Sequence, residues 1–400
     1  MKCRGLFFKP ATTAKGKRKV RIGFDVTPLC VPHNGVGAYT ANLLSRLEGM
    51  GDAMIPLSHR PPLPGYTGDG TDNRVDALSP ILRRRLNKTF WMQCVLPLQL
   101  ARLGLNASHF TNSVAPIFSP CPTVVTIHDM TLWLFPQYHY GLRLLSMRPF
   151  IPLAARRAAA IIAVSRATKQ DIVRILRVPA EKVHVIHEAA SVAFHPIDQE
   201  SAWQALGGDW SVPERFALYV GTIEPRKNLV RLLQAFAQVW HGGAVPHKLV
   251  FVGQRGWKEQ PVFRAVERLG LQEAVLFLGY VPHDILLALY NLAEALVFPS
   301  LYEGFGLPVV EAMACGTPVI TSRNGSLAEI SGEAAEFVEP TSVESIADAL
   351  RRVLNDPARQ QQLRQLGLAQ SSRYSWETAA RQTQAVYRQV SASAAGNHSL

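Results

Sequence analysis

The fold of this chain is constrained most by a repeated alternation of short β-branched runs and amphipathic stretches, which begins at Val20. Such an alternation is typical of parallel sheets covered by helices on both faces. In the first half we predict strands at residues 20–26, 54–57, 123–127, 159–164 and 183–186. In the second half we predict them at 216–220, 248–253, 275–279, 295–300, 318–322 and 335–338. The sequence therefore predicts an α/β fold with doubly wound, Rossmann-like sheets.

The pattern lapses into polar, glycine-containing sequence between Pro196 and Pro213, which marks a domain boundary. At about 150 residues per domain, the length gives two to three domains, and two large α/β domains are the commoner solution at this size. We predict a basic tail at 1–19, a first domain at 20–195, a linker at 196–213, a second domain at 214–372 and a terminal helix and tail at 373–400. We expect the two domains to face a central cleft at the carboxyl ends of their strands, where such folds bind ligands.

Composition narrows the class of protein. With 48% apolar and 18% charged residues, the chain is neither disordered nor a small disulfide-bonded scaffold. No apolar run approaches the roughly 18 to 20 residues of a membrane-spanning helix. The net charge is +12, and seven cations but no acid lie within the first twenty residues. We interpret this tail as solvated or as a contact for anionic lipid or another polyanion; no nucleic-acid-binding motif accompanies it, so we predict no nucleic-acid partner.

The most informative motif spans residues 298–322 and reads FPSLYEGFGLPVVEAMACGTPVITS. It predicts a strand, a glycine-rich turn and a helix that begins near Leu307. Gly304 and Gly306 allow the backbone to approach a ligand closely, and the first N–H groups of the helix favour an anion. Glu303 in the turn and Glu311 in the helix are candidate ligands for sugar or ribose hydroxyls. The alternative for each carboxylate is a solvated or capping role.

A second motif, GTIEPRKN at residues 221–228, follows the strand predicted at 216–220. It places Arg226 and Lys227 beside the N-terminus of the next helix, where positive charge is unfavourable unless an anion is bound. A diphosphate carries about two negative charges, which two such cations neutralise without a metal. The alternative is a solvated basic pair.

Two motifs of the first half are also candidates for function. His128 closes the strand predicted at 123–127, and we interpret it as a residue that orients a sugar hydroxyl or, alternatively, as a packed or capping histidine. The motif HNGVGAYTANLL places Gly35 and Gly37 after the first strand, as in a dinucleotide-binding fingerprint. Its third glycine position holds Thr40, so a dehydrogenase is not favoured.

The stretch 80–105 combines three arginines at 83–85 with Phe90 and Trp91. It is interpreted either as a core helix with a basic outer face or as an element that docks on a membrane interface or an acceptor.

No metal site is predicted, because the sequence contains no H-E-x-x-H motif, no Cys/His cluster and no aspartates spaced i, i+2. The five cysteines include no C-x-x-C pair, which favours a reducing compartment and a cytoplasmic location.

Together these motifs resemble glycosyltransferase family 4, the retaining nucleotide-sugar transferases of the GT-B fold, and in particular its bacterial mannosyltransferase-like branch. The resemblance rests on PSLYEGFGLPVVEAMACGTPV, VGTIEPRKNL, LGYVPHDILLALY, TIHD and NGVGAYTANLL. It implies transfer of a hexose, with mannose from GDP-mannose expected, to a glycan or lipid-linked saccharide in cell-surface polysaccharide (lipopolysaccharide) biosynthesis. It also implies retention of configuration, no metal and no cofactor besides the nucleotide-sugar substrate, a terminal helix that crosses back to the first domain, and a cytoplasmic enzyme that contacts an anionic membrane peripherally.

The resemblance implies roles for individual residues. Glu303 would contact the donor sugar near its reacting carbon, and Glu311 would hold the ribose. Arg226 and Lys227 would bind the diphosphate, and His128 would line the sugar site. The other predicted donor-binding residues are Gly35, Gly37, Tyr280, Val281, Ser300, Phe305, Gly306 and Leu307.

Two alternatives share the predicted fold. A nucleotide-sugar epimerase would use a similar donor, but the spacing between Glu303 and Glu311 is that of the transferases. A non-catalytic scaffold would have no need of the four charged residues Arg226, Lys227, Glu303 and Glu311.

Overall fold

The computed structural model of the protein describes residues 19–31, 35–60, 88–208 and 210–397. Most of the predicted basic tail and the arginines at 83–85 lie outside these residues. Within the described ranges, no helix combines the length and apolar character needed to cross a bilayer.

The first sheet has six strands in the order β2-β1-β3-β4-β5-β6. These strands are β1 (Arg21–Asp25), β2 (Ala53–Leu57), β3 (Ala107–Phe110), β4 (Thr123–Ile127), β5 (Ala160–Ala163) and β6 (Val183–Val185). The accompanying helices are α1 (Gly35–Glu48), α2 (Leu96–Leu103), α3 (Thr131–Leu134), α4 (Gly141–Met147), α5 (Phe150–Arg157) and α6 (Arg166–Leu176). A helical turn (Lys88–Phe90) and a π-helical turn (Trp91–Val95) precede α2. In the register of β1, Ile22 lies opposite both Met54 and Ala107, and all of these pairs are parallel.

Strand β3 is absent from the sequence prediction, because its ASHF segment contains polar residues. All four of its side chains are buried. The polar ones have partners, since His109 Nδ1 lies 2.6 Å from the Tyr387 hydroxyl and His109 Nε2 lies 2.8 Å from the Thr126 hydroxyl. A buried strand can therefore contain polar residues when other elements supply their hydrogen bonds.

The second sheet has six strands in the order β12-β11-β10-β7-β8-β9. They are β7 (Phe216–Val220), β8 (Lys248–Val252), β9 (Val275–Gly279), β10 (Ala295–Phe298), β11 (Val319–Ser322) and β12 (Glu336–Val338), each at a predicted position. The helices are α8 (Leu229–His241), α9 (Gln260–Arg268), α10 (His283–Leu292), α11 (Leu307–Ala314), α12 (Leu327–Ser331), α13 (Val343–Asn355) and α14 (Pro357–Ser371). The central strand β7 is buried along its whole length and is β-branched or aromatic at several positions, as expected for a parallel strand covered on both faces.

A helix, α7 (Gln199–Leu206), lies where the sequence analysis expected an irregular linker. The Asp198 carboxylate caps it by accepting a hydrogen bond from the Ser201 N–H at 2.8 Å. Ala202 and Leu206, four residues apart, are buried on one face, which packs on α10. The N-cap and this i, i+4 pair are the signals in the sequence, but they span only two turns.

The chain forms two compact units. The first comprises the chain up to Thr126 together with residues 153–161 and the chain from Ala380 onward, and the second comprises residues 127–152 and 162–379. The last helix, α15 (Trp376–Asn397), therefore ends in the first unit. There the Tyr387 hydroxyl contacts His109, and the Gln384 amide donates a hydrogen bond to Asp52 at 2.7 Å. The domain limits predicted from the sequence stay predictions.

Candidate active site

Two loops meet at the carboxyl edge of the second sheet, one after β7 and one after β10. These strands are neighbours at the centre of the sheet. Strands β8 and β9 lie on the outer side of β7, and β11 and β12 lie on the outer side of β10, so the strand order reverses between β7 and β10. Doubly wound folds bind ligands at such a switch point. The loops are joined directly, because the Arg226 carbonyl accepts hydrogen bonds from the Leu301 N–H at 2.9 Å and the Ser300 hydroxyl at 3.2 Å. The two motifs singled out in the second half of the sequence thus form one site.

The loop after β7 closes with a 3₁₀ turn, Pro225–Lys227, immediately before α8. Asn228 follows with a φ of 64°, in the left-handed region that asparagine tolerates better than most residues. Its side-chain amide donates to the carbonyl oxygens of Pro299 and Pro340, at 3.1 and 2.6 Å. These bonds tie the turn that carries the two basic side chains to the loop after β10 and to the residues that follow β12.

The loop after β10 depends on its glycines. A Cβ atom at Gly304 would overlap the carbonyl oxygen of His128, so a larger residue would push the two backbones apart. Gly306 has a φ of 103° and is the N-cap residue of α11. The Thr168 hydroxyl contacts both the Gly304 and the His128 carbonyl oxygens, at 3.1 and 3.3 Å. The glycine-rich loop is therefore held against the end of β4.

The centre of the site is a buried group of four charged side chains and one serine hydroxyl. We call it the Glu303 cluster, and its members are Glu224, Arg226, Lys227, Ser300 and Glu303. Lys227 Nζ lies 2.7 Å from Glu303 Oε1, and Arg226 Nη1 lies 2.6 Å from Glu303 Oε2. The Ser300 hydroxyl donates to Glu303 Oε1 at 2.6 Å, and Arg226 Nη2 lies 2.5 Å from Glu224 Oε1. Two cations and two carboxylates thus face each other, with 3 to 15% of each charged side chain exposed.

The charges of the cluster depend on each other. Burial alone would raise the pKa of Glu303, but the positive charges of Arg226 and Lys227 outweigh burial and hold that pKa at about 2. Burial lowers the pKa of Lys227, and the Glu303 carboxylate counteracts this effect. For Arg226, burial also acts against the charged form, but Glu303 and Glu224 outweigh it and raise the pKa. Glu303 is therefore ionised at neutral pH and supports the charge of both cations.

The cluster shows which groups neutralise the positive charges of Arg226 and Lys227. Two cations before a helix N-terminus need an anion nearby, and here the anions are the carboxylates of Glu303 and Glu224. Glu224 is absent from the predicted site residues. The signal was its position two residues before Arg226, in the EPR segment of the loop that follows the buried strand β7.

His128 and Asp129 lie beside the cluster. His128 Nδ1 is 3.0 Å from Oε1 of Glu188, which is itself buried. Asp129 accepts hydrogen bonds from the N–H and the hydroxyl of Thr131, at 2.9 and 2.6 Å. Its negative charge also helps to raise the pKa of Arg226. His128 is therefore an oriented side chain near the predicted sugar site, with Glu188 as a partner that the sequence analysis did not name.

Glu311 lies in α11 and belongs to a different part of the site. The Tyr290 hydroxyl donates to its Oε2 at 2.9 Å. Burial raises the pKa of Glu311 to about 7, so its charge changes in the neutral pH range. Among the described residues, its Oε1 has no hydrogen-bond partner, which leaves this oxygen available for a hydroxyl group.

The remaining predicted residues lie at several places. Phe305 is buried and packs edge-on against Tyr374, with ring centroids 5.8 Å apart, and Leu307 is the first residue of α11. Tyr280 and Val281 follow β9, two strands away from β7; Tyr280 is exposed and Val281 is buried. Gly35 and Gly37 lie in the first turn of α1, in the first compact unit. No group of three or more His, Cys, Asp or Glu side chains in the described ranges is arranged to hold a metal ion.

Comparison with known proteins places the chain in a family. Residues 33–193 match the family model described as Glycosyltransferase Family 4, and residues 209–369 match the model described as Glycosyl transferases group 1. The O-antigen chain mannosyltransferase B of Escherichia coli is 34% identical over 265 residues, which are 66% of this chain and 70% of that protein. The chain belongs to glycosyltransferase family 4.

Other family members and a solved structure extend the comparison. The serotype-specific mannosyltransferase WbdA of Escherichia coli is 32% identical over 69% of this chain, but the match spans only 34% of WbdA. Sucrose-phosphate synthase from Thermosynechococcus elongatus superposes with a TM-score of 0.73 at 22% identity, covering 94% of this chain and all of that one. The two parallel six-stranded sheets of this family 4 chain are thus those of the GT-B fold.

Proposed function

We propose that this protein is a retaining hexosyltransferase that moves mannose from GDP-mannose to a hydroxyl of a glycan or lipid-linked saccharide in cell-surface polysaccharide biosynthesis. The observation that carries the proposal is the Glu303 cluster, which places two cations and a carboxylate at the switch point of the second sheet. The names of the mannosyltransferase relatives support the choice of sugar, and GDP-mannose is the donor proposed for this branch of the family.

The chemistry follows from the charges of the site. In the transfer, the bond between the sugar C1 and the diphosphate oxygen breaks, and a bond from the acceptor oxygen to C1 forms. Arg226 and Lys227 would stabilise the negative charge that grows on the departing diphosphate. The acceptor proton would pass to that phosphate, so no side chain needs to act as a general base. We propose that these two cations make a metal ion unnecessary.

The binding of donor would change the pairing inside the cluster. Without donor, the cations are neutralised by Glu303 and Glu224. The donor phosphates would share the N–H donors of Arg226 and Lys227, and Glu303 would then accept hydrogen bonds from the hydroxyls of the sugar. Glu311 would bind the ribose hydroxyls through its Oε1. His128, oriented by Glu188, would contact the sugar.

An acceptor carried on a lipid would bring the enzyme to a membrane. We propose a cytoplasmic enzyme that contacts the anionic surface of that membrane peripherally, with the net charge of +12 as support.

The test is a donor screen in the presence of excess chelator. Thermal stabilisation and nucleoside diphosphate release are measured with GDP-mannose, UDP-glucose, UDP-N-acetylglucosamine and dTDP-rhamnose. We expect GDP-mannose alone to stabilise the protein and to be hydrolysed slowly. With a glycan acceptor present, an NMR assignment of the anomeric configuration of the transferred mannose should show retention. Stabilisation by a uridine or thymidine donor instead would overturn the choice of nucleotide, and activity that the chelator abolishes would overturn metal independence.

A further inference from the structure

The first compact unit exposes large apolar side chains on a basic background. Phe118 is 68% exposed and Leu98 is 65% exposed. Both line a cavity of about 440 Å³, together with Pro97, Pro116, Ile117 and Arg157. Arg102 lies one helical turn after Leu98 on α2 and is also exposed. We call the surface formed by Leu98, Arg102, Phe118 and Arg157 the Phe118 face.

The loop that carries Phe118 is held in place. The Gln93 side chain donates to the Ala115 carbonyl at 3.2 Å and accepts from the Ile117 N–H at 3.0 Å. Prolines at 116, 120 and 122 restrict the backbone on both sides of Phe118. The Arg157 guanidinium lies 5.4 Å from the centre of the Phe118 ring. An aromatic ring held outward by a restricted loop loses little conformational entropy when it inserts into another phase.

The segments that carry the Phe118 face contain positive but no negative side chains. Residues 88–126 and 153–161 contain four cations and neither Asp nor Glu; the cations are Lys88, Arg102, Arg156 and Arg157. Exposed apolar side chains alone would suit an apolar protein partner. Cations beside exposed apolar side chains instead match a surface with negative headgroups over an apolar interior.

We infer that the Phe118 face docks on an anionic lipid bilayer, with Leu98 and Phe118 inserted below the headgroups and Arg102 and Arg157 paired with lipid phosphates. Each inserted CH₂ group and each paired cation adds to the affinity. This docking agrees with the membrane contact proposed above, but it needs neither the donor nor any step of the transfer. The face overlaps the docking element predicted from the sequence at Leu98 and Arg102, whereas Phe118 and Arg157 lie outside the stretch 80–105.

The test is co-sedimentation of the full chain with vesicles of phosphatidylcholine, with and without phosphatidylglycerol, at low salt. We compare Leu98→Ser/Phe118→Ser and Arg102→Gln/Arg157→Gln with two matched controls. Val192→Ser removes another exposed apolar side chain, and Arg264→Gln/Arg268→Gln removes two exposed cations of α9. All substitutions are at the surface, and equal melting temperatures confirm that each variant is folded.

We expect the wild type and both controls to sediment with the vesicles that contain phosphatidylglycerol. Each cation removed from the Phe118 face should weaken binding about fivefold, and the apolar double variant should weaken it by more than tenfold. Wild-type binding by both face variants would overturn the inference and assign binding to another part of the chain, such as the basic tail. Self-association of the wild type in solution that Leu98→Ser/Phe118→Ser abolishes would overturn it in favour of a second copy as partner.

Discussion

Replacing Glu303 with glutamine tests the central role of the cluster, because the amide keeps the shape of the side chain but removes its charge. A carboxyl whose pKa falls from 4.5 to about 2 on folding stabilises the folded protein at neutral pH by about 3 kcal/mol. Since the folded pKa is the lower one, this stabilisation is present above pH 4.5 and disappears as the pH falls towards 2. Glu303→Gln should therefore lower the melting temperature at pH 7 by several degrees, and by less than half as much near pH 3.

The same substitution should change catalysis in a pH-dependent way. Burial already lowers the pKa of Lys227, and Glu303 is the carboxylate that supports its charge. Without Glu303 the lysine would lose its proton at a lower pH. We expect kcat to fall about 100-fold at pH 7, and the residual activity should decline with rising pH at a lower pH than the activity of the wild type does.

A matched control separates these effects from the loss of any buried carboxylate. Glu336, which lies in β12, pairs with Arg352 and Arg359 at 2.8 and 2.7 Å and is 13% exposed. Glu336→Gln should lower stability without changing the pH profile of kcat. Full activity of Glu303→Gln, or a pH profile identical to that of the wild type, would refute the reasoning.

Further substitutions test the residues around the cluster. Glu224→Gln should lower kcat about tenfold by releasing one side of Arg226, with partial recovery in Glu224→Asp; activity equal to the wild type would mean that Glu303 alone positions Arg226. Because the pKa of Glu311 is about 7, the donor KM should decrease as pH rises from 6 to 8, and this slope should vanish in Glu311→Gln; a slope that persists would assign it to another group. Tyr387→Phe should destabilise the first unit by about 1 to 3 kcal/mol, because it removes the buried hydrogen bond between the Tyr387 hydroxyl and His109 Nδ1, and calorimetry that shows no change would exclude that contact as a source of stability.

Most of the fold could be predicted from the sequence, because a parallel strand that is buried on both faces consists of a short run of apolar residues. The prediction failed at β3, where Ser108 and His109 interrupt that signal and their hydrogen bonds come from distant residues. For the site, the motifs indicated Arg226, Lys227 and Glu303, but not that they touch. Lys227 and Glu303 are 76 residues apart, and only the adjacency of β7 and β10 brings them together. Glu224 was missed for a related reason. Its importance depends on its ion pair with Arg226, and the sequence does not show in which direction the Arg226 side chain points.

The membership of α15 in the first compact unit sets an order for the biosynthesis of the protein. During translation, the strands of the first sheet leave the ribosome long before Tyr387 and Gln384, which complete their contacts with His109 and Asp52. The second unit needs nothing beyond Ala379 and is ready to fold earlier. The first unit to be synthesised is therefore the last to be completed, and in the meantime the nascent chain exposes the surface that α15 will cover, which is the kind of surface that promotes aggregation during folding.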